Sequence, residues 1–219
     1  MFKSATRRII KAAWLTAVVL SFVACGGGTQ EKVYDEAEGP DGAPVKRGVK
    51  PEADAEAVVL EVESGGFSYG RIVIELYPNV APKMVERFKQ LVREGFYDGT
   101  AFHRVNRSTG VVQGGDPNSK DDDPTNDGLG GSPYEDLPAE FSDIPFDRGI
   151  VGAARAGVNT ANSQFYITLR RVPQWDAQYT VFGKVIEGMN NVMTISGVSR
   201  TGEKPDDPVR IKSASVQPK

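Results

Sequence analysis

The chain has 219 residues, with 26 Lys and Arg against 29 Asp and Glu, one His and one Cys. That length suits one globular domain with appendages, and a net charge of -3 leaves no basic footprint for nucleic acid. A single Cys excludes an internal disulfide and a Cys-based metal cluster, and a lone His has no second His with which to share zinc, so no metal site is expected.

Lys3, Arg7, Arg8 and Lys11 precede the apolar run Ala12 to Ala24, which is 13 residues long. A bilayer span needs about 20 apolar residues, so this run has the length of a signal-peptide core and not of an anchor helix. It ends at Phe22-Val23-Ala24-Cys25. The pattern resembles a bacterial lipobox, with Phe22 in place of the usual Leu. The resemblance implies a signal peptide over residues 1–24, lipidation of Cys25 and a lipid-held protein of the bacterial cell envelope. Ordinary cleavage after Ala24, leaving a free thiol, is the alternative. Loss of residues 1–24 leaves 22 basic against 29 acidic residues, so attachment would come from lipid and not from a polybasic patch.

Residues 25–55 read as the lipidated Cys followed by a flexible linker. Gly26-Gly27-Gly28, Gly39-Pro40, Ala43-Pro44 and Pro51 interrupt any apolar period. A coil of that length reaches about 30 Å. The domain proper is then expected over 56–219.

Within it, Val58, Leu60 and Val62 alternate with polar residues, Ser64-Gly65-Gly66 breaks the run, and Ile72, Ile74 and Leu76 alternate again, which predicts a hairpin. Pro82 opens a helical spacing of Val85, Phe88, Leu91 and Val92 that stops at Gly95. Further short strands are predicted at Phe102 to Val105, Val111 to Gln113, Gln164 to Leu169, Tyr179 to Val185 and Val209 to Val216, with a second helix from Ile186 to Ile195. Many short strands with two helices suggest a mainly β fold, a small closed barrel capped by the helices.

Three segments carry more specific information. The first is Phe102-His103-Arg104 with Gln113-Gly114-Gly115-Asp116-Pro117. The second is Gly149-Ile150-Val151-Gly152-Ala153-Ala154-Arg155 leading to Asn162-Ser163-Gln164-Phe165-Tyr166-Ile167. The third runs from Asp176-Ala177-Gln178-Tyr179 to Val185. Together, and in this order, they resemble the cyclophilin-type peptidyl-prolyl cis-trans isomerases over nearly all of 56–219. The resemblance implies a closed antiparallel eight-stranded β-barrel capped by two helices. It also implies proline-containing polypeptides as partners, no cofactor and a monomer.

The chemistry explains the residue types. Rotation about an X–Pro bond loses amide conjugation at a barrier of about 18–20 kcal/mol. No bond is made or cleaved, so what helps is an apolar slot for the ring, a donor for the prolyl nitrogen and a group holding the neighbouring carbonyl. By resemblance, Arg104 and Gln113 are the catalytic pair. Arg104 is a permanently charged planar donor, and Gln113 is a neutral amide that both donates and accepts. Tyr166 falls at the pocket floor, where the family has Phe. Val111, Ala154, Arg155, Trp175 and Tyr179 are the other expected substrate-binding residues.

Gly110 stands where the family places a proline-packing Phe, and Arg104 and Gln113 are one residue further apart than usual, so one wall should be thinner unless Val111 fills it. Taken singly, Arg104 on a strand is an ordinary surface residue and Tyr166 an ordinary core residue; the ordered pattern decides otherwise. His103 reads as a hydrogen-bonded structural residue. Asp121-Asp122-Asp123 and Gly128-Leu129-Gly130-Gly131 fit neither a calcium loop nor a phosphate cradle. An isomerase acting on exported proteins is the functional expectation, and a catalytically weak proline-peptide binding or chaperone module is the alternative.

Overall fold

The computed structural model describes residues 35–219, and the expected signal peptide and the expected lipidation site Cys25 lie outside the described residues. In chain order the elements are β1 (Asp35–Glu38), β2 (Pro44–Arg47), β3 (Glu56–Ser64), β4 (Phe67–Leu76), α1 (Pro82–Arg93), β5 (Arg104–Asn106), β6 (Val111–Gly114) and β7 (Phe141–Ser142). They continue with β8 (Ile150–Ala153), β9 (Phe165–Thr168), β10 (Val181–Glu187), α2 (Met189–Gly197), β11 (Arg200–Thr201), β12 (Lys204–Pro205) and β13 (Arg210–Pro218).

Eight of these strands form one curled antiparallel sheet in the order β13-β3-β4-β10-β8-β9-β6-β5. The predicted β3–β4 hairpin pairs from Ala57 opposite Glu75 to Ser64 opposite Phe67. Closure of the expected barrel is not established by the strand ladders. The end strands β13 and β5 are not laddered along their length, and the segment ahead of β5 makes a single bridge, Ala101 to Arg210. Backbone bonds from Phe102 N to Val209 O (2.8 Å) and from Ile211 N to Thr100 O (2.8 Å) hold that seam. The free edge of β5 is instead taken by the turn between β11 and β12, where Val105 N donates to Glu203 O at 2.6 Å.

Inside the curl lies the main core. Val58, Leu60, Ile72 and Ile74 from the hairpin meet Met84, Phe88 and Leu91 of α1, Val192 and Ile195 of α2, and Val105, Val112, Val151 and Ile167. Phe88 sits centrally, with ring centroids 5.3 Å from Phe165 and 5.1 Å from Phe182. α1 begins at Pro82 as expected, but Ala81 offers no side-chain cap. The cap comes from afar: Glu140 accepts from the N–H groups of Lys83 (3.1 Å) and Met84 (3.0 Å), an anion where the helix presents free donors. α2 starts three residues later than the apolar spacing suggests, because Gly188 is left-handed (φ 86) and a β-carbon there would lie 2.1 Å from Arg71 O. Ile186 and Glu187 therefore finish β10. β8 shows no apolar alternation because all four of its residues are buried, as expected of a strand covered on both faces.

Over its described part the expected linker is ordered. β1 and β2 form a hairpin, and β2 runs parallel to β7. Val45, 2% exposed, packs with Ala43 and Phe141. Lys46 Nζ donates to Val80 O at 2.9 Å and Gly48 N to Asp143 Oδ2 at 2.9 Å, so residues 43–50 strap along the domain. Burial of Val45 and Val49, not polar composition, decides the outcome.

At the end of this strap Lys89 of α1 bridges Asp54 (2.8 Å) and Glu56 (2.5 Å). Desolvation raises the Asp54 carboxyl, but the hydrogen bond and charge of Lys89 outweigh it and hold the group below its ordinary value. Glu56 is also lowered, first by its hydrogen bond from Lys89. Carboxylates depressed in the folded state contribute stability above their unfolded pKa, near 4, and lose it as pH falls through the folded value. Replacing Lys89 by Met should therefore lower Tm most at neutral pH, with the gap to the wild type closing below about pH 4. Thermal melts of both proteins from pH 7 to pH 2.5 check this, and a gap independent of pH would contradict it.

Candidate functional site

Strand register assembles the site. Arg104 pairs with Gln113 between β5 and β6, Gln113 with Tyr166 between β6 and β9, and Tyr166 with Gly152 between β9 and β8. Directly opposed residues share a face, so four positions from four strands form one row. Their chain neighbours Val105, Val112, Ile167 and Val151 point the other way into the core. The row thus lies on the outer face of the curled sheet.

A cavity of about 530 Å³ opens over this row. It is lined by Arg104, Gln113, Tyr166, Val111, Ala154, Arg155, Trp175 and Tyr179, so all eight residues expected at the site converge on it. Gln164 and the Gly128–Gly131 stretch also line it. That stretch, which does not fit a phosphate cradle, contributes backbone: Gln164 Nε2 donates to Gly128 O (3.0 Å) and Gly130 O (2.8 Å). Gln164 Oε1 in turn accepts from Gln113 Nε2 at 2.9 Å, and Gln113 Oε1 accepts from Arg104 Nη1 at 3.2 Å. A chain of amides thus links the guanidinium to the far wall. Gln164 was not singled out from sequence, although it stands two residues before Tyr166 and strand alternation puts both on one face.

Arg104 remains 41% exposed at its side chain while its Nε donates to Glu203. The carboxylate holds the guanidinium at its Nε corner, next to Cδ, and the group still lines the cavity. Trp175 and Tyr179 close the aromatic side, at 5.0 Å and 5.9 Å from the Tyr166 ring. Arg155 lies over the Tyr179 ring at 4.6 Å and donates from Nη2 to Gln178 O at 2.9 Å. The place of the missing wall aromatic is partly filled. Val111 is buried beside the cavity, and the stem of Arg170 runs over Gly110, where a β-carbon would meet Arg170 Cγ at 2.8 Å.

His103 is 7% exposed, as a structural residue should be, and it shares a backbone hydrogen bond with Ala101. Desolvation lowers its pKa, against the opposing charges of Asp116 and Asp127. It is not among the residues lining the cavity over the row.

Tyr166 is 4% exposed, and its hydroxyl has no partner among the described residues. Desolvation pushes that hydroxyl well above its ordinary pKa, with Tyr179 adding to the shift and Arg155 opposing it. The ring fits only because position 152 is glycine, since a β-carbon there would stand 2.5 Å from both Cζ and the hydroxyl oxygen. Gly152→Ala is expected to cost about 1–3 kcal/mol as an overpacked site and to displace Tyr166 from the cavity floor. A lowered melting temperature together with a changed near-ultraviolet circular dichroism signal from the Tyr166–Trp175–Tyr179 cluster checks it; unchanged spectra would show that the ring has room to spare.

Comparison with known proteins agrees with this geometry. The family model described as cyclophilin type peptidyl-prolyl cis-trans isomerase/CLD matches residues 57–216. A protein of Brucella suis named probable peptidyl-prolyl cis-trans isomerase is 44% identical over 172 residues, covering 75% of this chain and 85% of that protein. The peptidyl-prolyl cis-trans isomerase ppi1 of Schizosaccharomyces pombe is 42% identical over 156 residues, covering 67% of this chain and 93% of its own length. Among solved structures, a Cryptosporidium parvum cyclophilin-type isomerase crystallised in the presence of the dipeptide Ala-Pro superposes with a TM-score of 0.65 at 30% identity, over 74% of this chain and 99% of that one. With motifs, fold and relatives in agreement, the chain belongs to the cyclophilin-type peptidyl-prolyl cis-trans isomerase family.

Proposed function

We propose that this protein accelerates cis–trans isomerisation of X–Pro bonds in exported polypeptides, with Arg104 and Gln113 as its catalytic residues. The observation that carries this reading is the single row in which Arg104, Gln113 and Tyr166 face one cavity of about 530 Å³. A proline ring seated on Tyr166, between Val111 and Trp175, places its nitrogen toward the guanidinium. As the bond twists, conjugation is lost and the nitrogen lone pair localises, and an N–H of Arg104 then meets an acceptor that is weaker in either planar state. Stabilisation confined to the twisted state raises the rate and not merely the affinity. Gln113 is held between Arg104 and Gln164 and presents its amide to the substrate backbone. Ala154 and Arg155 border the path of the residues preceding proline. The dipeptide named with the Cryptosporidium structure supports proline-containing peptides as the substrate class.

A second reading, a proline-peptide binding or chaperone module with weak catalysis, is favoured by Gly110 and by the unpartnered Tyr166 hydroxyl, both of which alter the proline slot. The export role rests on the basic segment, the apolar run and Cys25, and a lipid on that thiol would hold the protein at a membrane of the cell envelope.

A protease-coupled assay on a proline peptide separates these readings. Arg104→Ala should lower kcat/KM about ten- to a hundredfold, the worth of one charge-assisted bond made in the twisted state. Equal rates for the two proteins would remove Arg104 from the mechanism, and a wild type no faster than the uncatalysed reaction would favour the binding module. In a cell fractionation, Cys25→Ser should move the protein from the membrane pellet to the soluble fraction. A variant that stays in the pellet would rule out the lipid anchor.

A further inference from the structure

The catalytic arginine is held by a carboxylate that lies 99 residues further along the chain. Glu203 occupies the turn between β11 and β12, and its side chain reaches β5 at two places. One carboxylate oxygen accepts from Arg104 Nε and the other from Asn106 Nδ2. Arg104 and Asn106 are two apart on a strand and share a face, so one carboxylate straddles both. The backbone carbonyl of Glu203 accepts from Val105 N at 2.6 Å, and Lys204 ties the same turn to Asp127 at 2.6 Å. The turn is therefore fixed to β5 by side chain and main chain together.

This arrangement divides the guanidinium. Its Nε–H goes to Glu203 and one Nη1–H to Gln113, which leaves three of the five donors of an arginine for an occupant of the cavity. An arginine has much rotamer freedom to lose, and a fork anchored along one edge has already lost it before substrate arrives. The anion also tempers the positive charge, but both side chains are more than two-fifths exposed and solvent screens that effect. Orientation therefore outweighs charge.

Building on the isomerase reading, we propose that Glu203 is the positioning residue of the reaction, setting the angle at which Arg104 offers its remaining donors to the prolyl nitrogen. The test uses the full chain carrying Glu203→Ala, Glu203→Gln, Arg104→Ala and the Glu203→Ala/Arg104→Ala pair. Glu203→Ala should lower kcat about tenfold with KM changed less than about twofold, as expected when a reacting group is misplaced without loss of binding. Glu203→Gln keeps an oxygen for Nε and should recover kcat to within about threefold of wild type. Added to Arg104→Ala, Glu203→Ala should cost nothing more, because it acts only through that side chain. A further loss in the Arg104→Ala background as large as in the wild type would reassign Glu203 to general stability and overturn the proposal, as would an unchanged kcat for Glu203→Ala. A second readout is independent of turnover. The Nε–Hε resonance of Arg104 should exchange slowly with solvent in the wild type and rapidly in Glu203→Ala. If the wild type itself fails to speed isomerisation, the isomerase reading falls, and this exchange rate alone decides whether Glu203 holds the arginine; equal exchange in both proteins would show that it does not.

Discussion

Strand register is the constraint on which the site depends. Because Arg104, Gln113, Tyr166 and Gly152 are successive partners across β5, β6, β9 and β8, their side chains share a face. A slip of one residue in any of these ladders would turn the row into the core and bring Val105, Val112 or Ile167 outward. The ladder is protected against such slips by what lies beneath it. Those three residues are fully buried, and exposing one would forfeit about 1.5–3 kcal/mol of hydrophobic stabilisation. The core thus specifies the chemistry from below.

Above the sheet, the cavity walls are held mostly by groups that satisfy one another. Gln164 spans Gln113 and the Gly128–Gly130 carbonyls, while Asn162 accepts from Ser132 N at 2.8 Å and donates to Asp136 at 2.9 Å. Two amide side chains from one short segment therefore fasten the long connection between β6 and β7. Neutral amides suit this task because they donate and accept without the desolvation cost of a charge. The aromatic floor follows a different rule. Phe146, Tyr166, Trp175 and Tyr179 pack at centroid distances of 5.0–6.4 Å, mostly edge to face.

How much of this was legible follows from where each signal is stored. The β3–β4 hairpin and α1 announce themselves through local periodicity, with Pro82 and Gly95 marking the helix ends. Arg104, Gln113 and Tyr166 were legible through motif order, which no single residue supplies. Glu203 left no local trace, because its meaning comes from a partner at the other end of the domain. The β1–β2 hairpin was hidden for a related reason: its Pro and Gly residues mimic a linker, and its burial depends on β7, roughly a hundred residues away. Pairing across such distances is a property of the folded chain and not of any window of sequence.

The strap has a consequence for dissecting this protein. The family match begins at residue 57, yet Val45 covers Phe141, and Phe141 lies 5.5 Å from the guanidinium of Arg155 at the cavity. A truncation drawn at the homology limit would cut through packed side chains and lay bare the apolar face behind one wall of the site. The limit of the family match is therefore not the limit of the packed domain, which takes in Val45, twelve residues before it.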